Sequence, residues 1–378
     1  MIITVINAFA TLIEILLSVI LICMLLPVSV SSEALPRCTS ALIEAQTGMC
    51  IGGTDPDVQV PAGTQTKLMT VYLTAEAAAS GRFTPETVLT VSPAAEGAPG
   101  ASIWLRGGEK MSVLDLLRGV IVGNANDACI ALACAVSGSE EVFVRDMNAA
   151  AFSLGMRSTV FADCTGLSAE NLTTARDLGM LCRALLGYEW LRPVFTTWRC
   201  FLRGDATELV NENRLTRTDD TLCGFKAGHG DASGYTLTLA AQQEQMTLIA
   251  AVLGCPDGDQ RFDDAKKLLA KGFAEFYVTT PDLSAEFMQP VRVHHGTDAA
   301  VLPQTGDLLS IAAPRSESLS TAVVLPRWLD APVHRGDVIG TAAFYCGDTL
   351  LYESPLTAAD DVPRRSFLHT LRMLLAAL

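Results

Sequence analysis

Residues 61–70 read Pro61-Ala-Gly-Thr64-Gln-Thr-Lys67-Leu-Met-Thr70, a turn that runs directly into an apolar segment. From Thr66 onward Leu, Met, Ala and Glu dominate until Ser80-Gly81. Strong helix formers closed by a glycine stop predict a buried helix over 66–79. Thr64 lies three positions before Lys67, which sets a hydroxyl and an amine one helical turn apart.

Working outward, 38–53 is an apolar stretch broken by Gln46-Thr47-Gly48, which predicts a hairpin ahead of the helix. Downstream, Ser112 caps a helix through Leu114, Leu116, Leu117 and Val120. Asn124-Ala-Asn126-Asp127 then interrupts before a second apolar helix from Ala128. Helical spacing recurs over 140–154, and Thr174-Ala-Arg-Asp177 resembles a capping box before 178–186. After Gly224 the period changes. Strands are predicted over 225–228, 235–241 and 246–253, with Gln242-Gln-Glu-Gln245 as a turn and a helix following over 262–276. Strands at both ends with helices between predict an α/β (α+β) domain with an antiparallel sheet and a helical subdomain. Beyond 281 short strands alternate with turns at Thr305-Gly-Asp307, Arg335-Gly-Asp337 and Cys346-Gly-Asp348, which reads as a small all-β domain.

The chain has 378 residues, 49% of them hydrophobic, enough for two domains with their own cores. A formal charge of -14 argues against nucleic acid as a partner. In 1–30 a single charge, Glu14, precedes the apolar run 15–26, and Ser32 and Ala34 occupy cleavage-like positions, so the segment 1–34 reads as a secretory signal. Its rival is an uncut membrane anchor, because no Lys or Arg precedes the run. Ile22 ahead of Cys23 argues against a lipoprotein. At the other end, 362–378 sets Phe367, Leu368, Leu371, Leu374, Leu375 and Leu378 on one stripe with Arg364, Arg365 and Arg372 away from it. Such a tail suits a membrane surface, or a helix packed on its own β domain. Eleven cysteines include no C-x-x-C pair, which leaves a zinc site without spacing support. Most read as small buried hydrophobes, and disulfides and a reducing habitat both stay open.

Three stretches stand in a particular order: Thr64 to Lys67 opening a helix, Asn124-Ala125-Asn126 between helices, and Lys226-Ala227-Gly228 on a strand. Order and elements match the S-x-x-K, S-x-N and K-T-G triplet of penicillin-interacting enzymes. With Met147-Asn148, Thr165-Gly-Leu167, Asn211-Glu-Asn213, Gly234-Tyr235, Ala331-Pro-Val333 and Arg335-Gly-Asp-Val-Ile-Gly340, the chain from 38 to 360 resembles the serine-type D-alanyl-D-alanine carboxypeptidases, the low-molecular-weight penicillin-binding proteins. The resemblance implies a transpeptidase/β-lactamase-like catalytic domain over 35–280, a β-rich domain over 281–361 and a membrane-associating tail over 362–378. It implies removal of the terminal D-alanine of peptidoglycan stem peptides through an acyl-enzyme at the outer face of the cytoplasmic membrane, in the cell envelope. The ligands implied are D-Ala-D-Ala peptide termini and β-lactams, with no metal or organic cofactor.

By the same resemblance position 64 is the nucleophile, Lys67 its base, and position 124 a proton relay. Asn126, Lys226, Ala227, Gly228 and His229 bind substrate, and the backbone N–H groups of Thr64 and His229 form an oxyanion hole. The hydroxyls are where the chain departs. Thr64 replaces serine, and its methyl restricts the rotamer; it also reads as a plain helix cap. Asn124 replaces a serine and has no exchangeable hydroxyl. Ala227 replaces a threonine that would share the substrate carboxylate, and Cys255-Pro256 stands where relatives carry an arginine. Lys67, Asn126 and Lys226 are kept. A carboxypeptidase with a threonine nucleophile and an impaired relative that binds wall peptides or a cell-wall partner are both left standing. A β-lactamase ranks below them, since it needs no trailing β domain.

Overall fold

Strand β5 (Met246–Cys255) is apolar on both faces and buried along almost its whole length, the pattern of a central strand covered on each side. In this computed structural model, which describes residues 38–367 apart from 282, 285, 286 and 307, it pairs antiparallel with β1 (Thr39–Glu44) and with β4 (Gly234–Gln243). Strand β2 (Cys50–Thr54) and strand β3 (Leu222–Gly230) form the two edges, giving the order β2-β1-β5-β4-β3. Alternation along β1 divides the core. Ala41 and Ile43 join the larger cluster on the helical side, while Leu42 joins Phe262, Ala265 and Leu269 on the opposite face.

The helical side holds α1 (Lys67–Ala79), α2 (Val113–Ile121), α3 (Asn126–Ser137), α4 (Glu140–Ser153) and α5 (Ala175–Leu186), and α6 (Gln260–Glu275) covers the other face. The predicted caps form, since Ser112 Oγ accepts from Asp115 N and Thr174 Oγ1 from Asp177 N. Two local readings change. A 3-10 turn (Gly63–Thr66) precedes α1, so Thr64 lies in that turn instead of capping the helix. Asn126 and Asp127 belong to α3 and do not interrupt ahead of it. Ala125 is extended, and the buried Asp127 carboxylate accepts from Ile103 N, Leu105 N and Ser102 Oγ, so the acid in the first turn also fixes the neighbouring loop. The hairpin Arg199–Leu202/Thr207–Val210 had no expectation in the sequence.

Register separates the two ends of the sheet. Lys226, Ala227 and Gly228 face Thr238, Leu237 and Thr236, and Tyr235 faces Cys255, so the motif lies where β3 ends and β4 begins. Cys38, just ahead of β1, is disulfide-bonded to Cys255 at that same end. At the far end Gln46 Nε2 donates to Ser310 Oγ of the second domain. That domain is all-β, with a four-stranded sheet, a three-stranded sheet and the pair Phe276–Thr279 with Ile311–Pro314. Its strands therefore begin at Phe276, directly after α6. Residues 1–37 and 368–378, which hold the signal-like segment and most of the apolar stripe, lie outside the described residues. Among the described residues no helix is long and apolar enough to cross a membrane.

Candidate active site

The turn carrying Thr64 is fixed to the sheet by its neighbour. Gln65 is buried, its Nε2 donates to Lys226 O (3.2 Å) and Thr236 Oγ1 (3.0 Å), and its Oε1 accepts from Thr238 Oγ1 (3.0 Å). Thr64 is thereby held against the β3 edge, so closely that a Cβ at position 228 would overlap Thr64 Oγ1. A glycine is required there by contact, not by backbone angle. Among the described residues Thr64 Oγ1 is buried and has no hydrogen-bond partner.

One turn on, Lys67 is 2% exposed, and its Nζ donates to Asn126 Oδ1 (2.6 Å) and to Thr165 O. Asn126 Nδ2 donates to Pro99 O (2.7 Å), which ties the second motif to the cleft wall. Thr165 belongs to a loop folded around Asp163, whose carboxylate accepts from the backbone N–H of Thr165, Gly166 and Ser168. Burial works to raise the Asp163 carboxyl, but these donors outweigh it and hold it below the usual range. Burial also pushes the Lys67 ammonium below an ordinary lysine. Lys226, 1% exposed, is lowered to about 7 by burial and by the Lys67 charge, with the weak donation of its Nζ to Ala227 O (3.3 Å) as its hydrogen bond. Cys129 lies close enough to feel both lysines, yet burial lifts its thiol to about 11, so it is no nucleophile at neutral pH.

Asn124 sits at φ 55°, a left-handed conformation that Asn tolerates better than most residues, and its Oδ1 is a second buried atom without a partner. Thr64, Lys67, Asn124, Asn126 and His229 line one cleft of about 510 Å³ with Thr165, Gly166 and Ser233. Lys226, Ala227 and Gly228 lie in the edge strand beside it. A cavity of about 890 Å³ at the far end of the sheet is larger but lacks the two buried lysines, and the chemistry favours the smaller one.

Arg261, absent from the sequence reading, and Glu212, of the stretch Asn211-Glu-Asn213, hold the rim. Arg261 is buried; it donates to Gly228 O (2.6 Å), Thr236 O (3.2 Å) and Glu212 Oε1 (2.9 Å). Burial opposes ionisation of Glu212, but Arg261, Lys226 and His229 outweigh it and lower its carboxyl. His229 Nδ1 lies 3.3 Å from the same carboxylate, and its ring stacks on Tyr235 at 5.4 Å. An arginine in the first turn of α6 thus reaches the third motif from behind, where it supports the strand.

A family model described as D-alanyl-D-alanine carboxypeptidase matches residues 28–257, and one for the C-terminal domain of penicillin-binding protein 5 matches 289–364. D-alanyl-D-alanine carboxypeptidase DacF of Bacillus subtilis is 30% identical over 341 residues, covering 88% of each chain. DacC of Escherichia coli is 32% identical over 339 residues, covering 86% of this chain and 84% of its own. Penicillin-binding protein 5 from Haemophilus influenzae superposes with a TM-score of 0.77 at 26% identity over 86% of this chain and 97% of its own. Penicillin-binding protein D2 from Listeria monocytogenes, in its ampicillin-bound form, aligns over 62% of this chain and 96% of its own, with a TM-score of 0.56 at 25% identity. The fold and its trailing β domain agree with these matches, and the chain belongs to the D-alanyl-D-alanine carboxypeptidase family.

Proposed function

We propose that the cleft takes the D-Ala-D-Ala end of a peptidoglycan stem peptide, laid along the free edge of β3 in the manner of an added strand. The observation that carries this reading is Thr64 Oγ1, a buried hydroxyl without a partner between Lys67 and the edge strand. An unsatisfied buried hydroxyl costs about 1–3 kcal/mol, a cost that a ligand in the cleft offsets. In the forward chemistry Thr64 Oγ1 attacks the carbonyl carbon of the penultimate D-alanine and its proton passes to neutral Lys67 Nζ. The peptide C–N bond then breaks, the leaving amine takes up a proton, and water hydrolyses the ester. Burial favours the neutral amine that this step needs. Lys226 supplies a cation for the terminal carboxylate, and the N–H groups of Thr64 and His229 receive the oxyanion. β-Lactams fit the same cleft as acylating agents.

A second reading, binding with little turnover, has its own support. Lys67 Nζ is engaged with Asn126 and Thr165 instead of Thr64, and Asn124 offers no hydroxyl for relay. Release of D-alanine from a pentapeptide, with intact-mass measurement after penicillin treatment, separates the two. Release at roughly 1 per second or more, abolished in Lys67→Ala, establishes the enzyme. Slow or absent acylation that the triple change Thr64→Ser, Asn124→Ser, Ala227→Thr restores, while single changes gain little, establishes the impaired site. Release that Lys67→Ala leaves unchanged overturns the site altogether. The same proposal has the protein exported, cleaved before Leu35, and held at the outer face of the cytoplasmic membrane by the apolar stripe of its tail.

A further inference from the structure

The described chain ends beside an unusual surface of the second domain. Strand Val291–His294 alternates buried and exposed residues, which sets Arg292 and His294 on the outer face. It pairs in parallel with Trp328–Asp330, where Trp328 is 53% exposed and lies flat on the His294 ring at 5.5 Å and 5°. The segment leading to the tail docks against the same strand end. Arg364 bridges to Gly296, Arg365 N donates to His295 O (2.7 Å), and Phe367 follows at 84% exposure. Among the described residues neither Arg292, Arg364 nor Arg365 has a carboxylate within ion-pair distance. Asp330 shares the face, and Asp361 lies 3.7 Å from His334 at its margin.

We propose that this face, with Trp328, His294, Arg292, Arg364, Arg365 and Phe367, is an interfacial docking surface for an anionic lipid bilayer. Three observations favour that occupant. An exposed Trp and Phe beside arginines without a carboxylate partner, of which Arg365 gives its Nε to Gly296 O, is the composition of a membrane interface, where an amphipathic ring lies at head-group depth and guanidinium groups meet phosphates. Arg292, Arg364 and Arg365 stand together on a chain of formal charge -14, most of whose surface repels anionic lipid. The remaining eleven residues, 368–378, with five leucines and Arg372, continue from this point. The proposal rests on the tail tether above and adds the folded domain to it, which would fix orientation as well as attachment.

The test uses the chain from Leu35 to Leu378 with vesicles of phosphatidylglycerol and phosphatidylethanolamine carrying brominated acyl chains. Co-sedimentation reports attachment, and bromine quenching of tryptophan emission reports the surface. Expected are sedimentation, quenching that disappears in Trp328→Phe while sedimentation persists, and about fivefold weaker binding for Arg292→Gln, a residue outside the tail. Sedimentation with quenching unchanged in Trp328→Phe and affinity unchanged in Arg292→Gln overturns the surface and leaves the tether standing. Absence of sedimentation overturns both.

Discussion

Lys226 is the residue whose charge state the fold constrains most visibly. Its amine is lowered to about 7 in the folded protein, first by burial and then by Lys67, whereas in the unfolded chain it keeps an ordinary lysine value. Between pH 7 and about 10 the unfolded state therefore binds a proton at Lys226 that the folded state has released, and the contribution of Lys226 to stability rises with pH across that window. Below 7 the buried charge destabilises in full. Urea midpoints measured from pH 6 to 10 should rise more, or fall less, with pH in the native protein than in Lys226→Met, where the lysine's contribution is gone. The motif lysines and Asn126 were legible because a fixed spacing on one turn, or one strand, brings them together. Thr165, whose carbonyl holds Lys67, was not, since its contribution is a backbone atom 98 residues away in sequence. Asn124 was read through its missing hydroxyl. The structure adds that its backbone is left-handed, a demand that tertiary context makes and sequence does not display.

At the level of elements, the polar link from α6 to the active end of the sheet runs through Arg261, beside the packing of Phe262 and Ala265. Arg261 bonds Gly228, Thr236 and Glu212, and removing it would take a charged donor from a part-buried carboxylate and two carbonyls, leaving His229 Nδ1 against Glu212 and Thr236 Oγ1 against Gly228 O. Arg261→Ala should cost about 3–5 kcal/mol, read by urea denaturation, and adding Glu212→Ala should recover part of it. A purely local packing role would show no such recovery. The strands and helices themselves followed from period and caps, with boundaries shifted by a few residues. Thr174, Ser112 and the turn 242–245 were readable because the chemistry of each is local. The resemblance led to an expected arginine after β5, and Cys255-Pro256 stands there. Arg261 is the basic residue that the structure brings to the motif, and it supports the strand from behind. Sequence counts a missing contact but cannot show what a helix six residues further on brings in its place.

For the whole molecule, the disulfide Cys38–Cys255 closes 217 residues and so encloses nearly all of the catalytic domain. Loops of that length restrict the unfolded chain strongly, and Cys38→Ala with Cys255→Ala should lower stability by about 3 kcal/mol under oxidising conditions. In dithiothreitol the two proteins should melt together. Which cysteines pair was not legible, because partners lie far apart in sequence and ten candidates remain after Cys23. The two-domain plan was legible from the loss of helical period near 281. Cys38 has a further consequence. The chain enters the catalytic domain at the cleft end of the sheet, whereas the second domain joins at the opposite end through Ser310 and the strand after α6. On the proposal that the segment before Leu35 is cleaved and the tail holds the protein to the membrane, the tether leaves from the second domain, away from the cleft end of the sheet, whereas an uncut N-terminal segment would hold the molecule by the cleft end itself. Under that proposal, cleavage would decide which end of the sheet lies nearer the membrane.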